Sequence, residues 1–185
     1  MDVTSQHITL TLILGGARSG KSHYAQAIAE ESGKSVTFIA TAQALDEEMS
    51  ARIQKHREER SASWQTLEIP FGVAPHVEKI KTEIVILDCV TLLVSNLLMQ
   101  YAKDDLVDEK PFTNAVEKET EELVKTIREG KQDWLIISNE VGLGVVPAYP
   151  MGRVYRDALG WANQRLAQAA DKVIFMVVGI PTIIK

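Results

Sequence analysis

The residues best suited to chemistry form one short string, Gly15-Gly16-Ala17-Arg18-Ser19-Gly20-Lys21-Ser22. It fills the pattern Gly-x4-Gly-Lys-Ser, in which glycines let successive backbone N–H groups turn toward phosphate oxygens. In such a string Lys21 reaches the β- and γ-phosphates of a nucleoside triphosphate, and the Ser22 hydroxyl can ligate Mg²⁺. A helix opening at Lys21 adds the partial positive charge of its N-terminus. A second candidate is Asp88, which ends the apolar run Ile84–Asp88. At the carboxyl end of a neighbouring strand it would face the cation; it could equally cap the helix that starts near Val90.

A third candidate is His56, within the charged run Asp46–Arg60. Met49, Ile53 and His56 fall at i, i+4 and i+7, so the imidazole shares a face with the apolar residues. Arg52 and Arg60 stand one turn to either side, and Arg57 is adjacent. An imidazole among arginines can act on phosphate as nucleophile or acid. The same run also reads as a solvated charged helix. His7, His23 and His76 have no comparable setting.

These groups need a scaffold, and the apolar runs supply one. Ile8–Leu14, Val36–Ala40, Ile84–Asp88, Trp134–Ser138 and Val173–Val178 are short and show little alternation, as strands buried on both faces do. Between them lie helical periodicities: Val116, Thr120, Leu123 and Ile127, stopped by Gly130, and then Tyr155, Leu159, Ala162, Leu166 and Ala169. Alternating strand and helix implies a doubly wound, mostly parallel α/β sheet with right-handed crossovers and helices on both faces. The 41–83 stretch is long for one crossover and is expected to hold the charged helix and an extra strand near Gln65–Ile69. Residues 101–112 are acidic and are expected to form an exposed loop. Residues 1–185 read as a single domain, with 1–8 as an extension of no assigned role.

Composition bounds the function. With 45% hydrophobic and 24% charged residues, the 185-residue chain reads as globular, and a net charge of -5 argues against general nucleic-acid binding. The single Cys89 excludes an internal disulfide and is expected to be a buried, inert thiol. No signal segment or membrane span is read, so a cytoplasmic enzyme is expected.

Taken together, the motifs resemble a known family: the bifunctional adenosylcobinamide kinase / adenosylcobinamide-phosphate guanylyltransferases of cobalamin assembly. The resemblance is carried by residues 15–22, Phe38–Ala42, Asp46–Met49, Arg52–Arg57, Trp64, Asn139–Gly142 with Val146-Pro147, and Arg156-Asp157 through Asn163–Leu166. It implies a RecA-like P-loop fold, GTP and ATP as substrates with Mg²⁺, a homotrimer, and two reactions. The γ-phosphate of ATP or GTP passes to the hydroxyl of adenosylcobinamide; GTP then donates GMP to that phosphate through a GMP-histidine intermediate. The resemblance places that histidine at His56. It places the other GTP contacts at residues 15–22, Ala40, Thr41, Ala42, Arg57, Glu58, Glu59, Arg60, Glu68 and Asp88. Asp88 stands where relatives also carry glutamate. Asn139, Glu140 and Gly142 are expected either at the active-site rim or in a turn that uses Gly142 and Gly144 for unusual backbone angles. The alternatives are a P-loop kinase of another small hydroxylated metabolite, with His56 structural, and a nucleotide-dependent switch.

Overall fold

The computed structural model describes residues 9–44, 46–104 and 106–185; the 1–8 extension, with His7 and Ile8, lies outside them, as does the side chain of Arg52. Strands β1 (Leu10–Gly15), β2 (Val36–Ala40), β3 (Gln65–Glu68) and β4 (Ile84–Asp88) alternate with helices α1 (Lys21–Glu31), α2 (Glu47–Glu58) and α3 (Ala74–Val77). Then follow α4 (Val90–Tyr101), the short strands β5 (Ala102–Lys103) and β6 (Leu106–Val107), α5 (Glu109–Glu129), β7 (Asp133–Ile137), α6 (Pro150–Ala169), β8 (Lys172–Val177) and β9 (Ile180–Ile183).

Seven of these strands form one sheet in the order β3-β2-β4-β7-β1-β8-β9. It is parallel throughout except for β9, which runs antiparallel to β8. The lack of alternation in the strands has a direct cause. Leu10, Leu12, Val85, Leu87, Trp134 and Ile136 enter one apolar cluster together with α4, α5 and α6. Their neighbours Ile13, Ile84, Ile86, Leu135 and Ile137 enter another, with α1. Both pleat faces are covered, so apolar residues are required at consecutive positions.

The charged helix forms as its cap dictates: the Asp46 carboxylate accepts from the Met49 amide at 2.7 Å. The expected loop at 101–112 is instead the β5–β6 hairpin and the first turn of α5. Phe112 is fully buried there, its ring 6.4 Å from that of Tyr101. Acidic residues at a helix start complement its dipole, and Pro111 falls in the first turn, where its missing N–H costs nothing. The β9 strand was not expected either. Val178 (φ 47°) and Gly179 (φ 84°) make its two-residue turn, and a valine at positive φ masks the usual hairpin signal.

Candidate active site

The strand register assembles the site. Ala40 of β2 lies between Glu68 of β3 and Asp88 of β4, and Asp88 lies beside Ile137 of β7. All of these are at the carboxyl ends of parallel strands, the edge where open α/β sheets bind ligands. At the same edge β1 ends in Gly15 and turns through the phosphate cradle into α1.

Two glycines in the cradle are required by geometry. Gly15 has φ 152°, and a Cβ there would stand 2.5 Å from the Met176 carbonyl oxygen. Gly20 has φ 94°, and a Cβ there would stand 3.3 Å from Gly179 Cα. The Gly179 amide also donates to the Ser19 carbonyl at 3.0 Å, so the β8–β9 turn braces the cradle from behind. Lys21 is buried and its Nζ donates to the Gly16 carbonyl at 2.6 Å, which holds the ammonium over the loop. Burial pulls its pKa below the ordinary lysine value, with Cys89 and Asp88 opposing.

Asp88 faces the cradle. Burial pushes its pKa above the usual carboxylate range, opposed by a hydrogen bond from Ser22 and by the charges of His56, Arg60 and Lys21. It does not cap α4, whose N-cap is Cys89 without a side-chain bond. Burial raises the Cys89 thiol to about 12, so it is an inert thiol at neutral pH.

The end of α2 is docked over β2 and β3. Arg57 pairs with Glu68. The Arg60 guanidinium lies over the Phe38 ring at 3.7 Å, and its Nε and Nη1 are buried without a hydrogen-bond partner. A desolvated cation with unpartnered donors is an anion receptor. Burial lowers its pKa from the ordinary arginine value, with Asp88 opposing. His56 is partly exposed, and its Nδ1 stands 3.5 Å from the Glu59 carboxylate. Glu58 turns to Gln54, accepting from Nε2 at 2.9 Å. A cleft of about 760 Å³ opens beside these groups, walled by Arg57, Arg60, Trp64, Thr66 and Glu68 among others.

A cation fits between cradle and β4. Ser22, at the start of α1, and Asp88, at the end of β4, offer a hydroxyl and a carboxylate at the same sheet edge. No group of three or more His, Cys, Asp or Glu side chains converges on a possible metal among the described residues. A hard divalent ion here would therefore complete its shell with phosphate oxygens and water, as Mg²⁺ does.

The sequence-derived residues thus gather at one edge; Glu58 lines the cleft there, although its carboxylate is engaged by Gln54 within α2. The segment after β7 also joins them: the Ser138 amide donates to the Ile13 carbonyl at 3.0 Å and the Glu140 amide to the Gly15 carbonyl at 3.2 Å. Neither Gly142 nor Gly144 has a positive φ, which leaves the rim reading of this segment. Sequence reasoning missed what holds it. The Asn139 amide donates to Thr91 Oγ1 at 2.7 Å, Asn163 Nδ2 to the Asn139 carbonyl at 3.0 Å, and the Tyr155 hydroxyl to the Thr91 carbonyl at 3.0 Å. No local pattern signals such a network, because its members lie on three separate elements.

Cradle, acidic strand end and sheet order define a P-loop nucleotide-binding protein. A RadB recombinase shares this fold, with a TM-score of 0.52 at 13% identity over 90% of this chain and 73% of that one. Residues 11–184 match the family model described as cobinamide kinase / cobinamide phosphate guanyltransferase, and the chain belongs to that family. The bifunctional adenosylcobalamin biosynthesis protein CobP of Pseudomonas aeruginosa is 42% identical, covering 94% of this chain and 96% of the relative. The corresponding CobU of Escherichia coli K12 is 39% identical, covering 95% and 99%. The chain is accordingly an enzyme, with the kinase and guanylyltransferase activities of its family.

Proposed function

We propose that this enzyme transfers the γ-phosphate of ATP or GTP to the hydroxyl of adenosylcobinamide, and then transfers GMP from GTP to the resulting phosphate through His56. The observation that carries this reading is the docking of the charged segment that holds His56, Arg57 and Arg60 over β2 and β3, at the sheet edge where Asp88 and the cradle lie. One triphosphate seat thereby has a nucleophile beside it.

In the kinase step the acceptor oxygen bonds to the γ-phosphorus, the β–γ bridging bond breaks, the nucleoside diphosphate leaves, and the hydroxyl proton passes to solvent. Lys21 and the cradle amides neutralise charge on the transferring group. In the guanylyl step an imidazole nitrogen bonds to the α-phosphorus and pyrophosphate leaves from the broken α–β bond. An oxygen of adenosylcobinamide phosphate then attacks the same phosphorus and the P–N bond breaks, giving adenosylcobinamide-GDP and free His56. Two displacements replace one, each with a better nucleophile or leaving group. With the Glu59 carboxylate 3.5 Å from Nδ1, Nε2 is the nitrogen left for the attack. Arg60 and Arg57 are placed to receive the departing pyrophosphate. Ser22 and Asp88 would hold Mg²⁺, which supplies charge neutralisation at the bridging phosphates when bound.

The resemblance also supports a homotrimer and a cytoplasmic location, with residues 1–185 acting as a single catalytic domain. No helix among the described residues is long and apolar enough to cross a membrane. Mass analysis after mixing the protein with adenosylcobinamide and GTP tests the function. The expected product is the GDP-linked corrinoid. A product that stops at the phosphate would reduce the chain to a kinase with a structural His56, and an unchanged corrinoid would refute both steps.

A further inference from the structure

Thr41 follows β2 immediately, between Ala40 and Ala42, and its side chain is fully buried. The resemblance implies a direct contact with the nucleotide here, but the hydrogen bonds show otherwise. Its amide donates to the Asp88 carbonyl at 3.0 Å. Its hydroxyl donates to the Cys89 carbonyl at 2.7 Å and accepts from the Cys89 amide at 2.8 Å. Both of its donor protons are therefore bound to the β4–α4 junction, and none is left for a phosphate or a base. Asn96 of α4 locks the residue from the far side, donating to the Thr41 carbonyl at 2.7 Å and to the Pro70 carbonyl at 3.0 Å.

We infer that Thr41 is a positioning residue: its hydroxyl and amide clamp the Asp88–Cys89 peptide and the Cys89 carbonyl, directly after Asp88, and so aim that carboxylate at the cradle and the cation site. Three hydrogen bonds from one residue grip the Asp88 carbonyl, the Cys89 amide and the Cys89 carbonyl. The chain leaves β4 at this point, so the clamp decides where the last side chain of the strand points. A buried hydroxyl that donates and accepts on the same residue has no freedom to rotate toward a ligand. Thr41 acts on the substrate only through Asp88.

The inference rests on the reading of Asp88 as a cation-site residue, and the test separates the two. GTP binding is measured by calorimetry in EDTA and again across a Mg²⁺ titration, for wild type, Thr41→Val, Thr41→Ser and Asp88→Asn. Thr41→Val keeps the shape and removes the hydroxyl. It is expected to raise the Mg²⁺ concentration needed for half-maximal tightening at least tenfold, with affinity in EDTA within twofold of wild type. Thr41→Ser restores the hydroxyl and is expected to return the Mg²⁺ requirement to within about threefold of wild type. Weakened GTP binding in EDTA by Thr41→Val would show a direct contact and overturn the inference, as would an unmoved Mg²⁺ requirement. Should Thr41→Val not fold, Thr41→Ala is judged by the same two constants. A shift in Asp88→Asn without one in the Thr41 variants sinks the clamp alone. No shift in Asp88→Asn sinks the cation-site reading beneath it.

Discussion

Two residues of the proposed site carry predictions of their own. The Glu59 carboxylate stands 3.5 Å from His56 Nδ1 with its side chain half exposed, so its proposed effect on the ring is modest. Glu59→Gln is expected to slow formation of the guanylylated protein by about tenfold, read by rapid-quench labelling, while kinase turnover stays within twofold. Equal losses in both steps would show that Glu59 serves the nucleotide and not the ring. Asp88 carries the pH dependence. Burial holds its pKa above the usual range, so the folded state takes up this proton at a higher pH than the unfolded chain. The stability so gained is fully present below the unfolded value near 4 and is lost as the pH rises through the folded value. Asp88→Asn escapes that loss. Relative to wild type its melting temperature should climb as the pH rises from about 4, and melting curves that stay parallel would contradict the assignment. His56 shows the limit of spacing: a period of i, i+4, i+7 puts it on a face, but only the fold docks the segment that carries it over β2 and β3.

At the scale of elements, the cradle and the parallel strands were legible because their requirements are local. A P-loop needs its glycines at fixed positions, and a doubly covered strand needs a continuous apolar run. Gly15→Ala tests the first: with φ 152° and the Met176 carbonyl in the way, it should cost about 2 kcal/mol or more and abolish GTP binding. A variant that binds GTP normally would show the loop to be more tolerant than its geometry. The start of α5 was not legible, since its acidic residues read equally as loop and as a helix N-terminus. Phe112→Ala, at a position expected to be exposed loop, should cost about 3–5 kcal/mol in urea unfolding. A loss below about 1 kcal/mol would restore the loop reading. The β8–β9 turn was hidden for a different reason. Its role is to brace Ser19 and Gly20 from across the sheet edge, and long-range contacts leave no periodic trace.

In the whole molecule, one phosphate seat is proposed to serve two phosphorus centres. The sheet brings Glu68, Ala40, Asp88 and the cradle to one edge, and the segment from α2 through Arg60, which carries His56, docks over it. Sedimentation is expected to give a particle three times the mass of one chain; a monomer would contradict the proposed assembly while leaving the site intact. Covalent capture of the α-phosphorus tests the central claim most directly. Incubated with GTP labelled at the α-phosphate, the wild-type protein should acquire an acid-labile, base-stable label that peptide mapping places on His56. His56→Ala should acquire none while still binding GTP. Full labelling of His56→Ala, or no label on the wild type, would contradict the account.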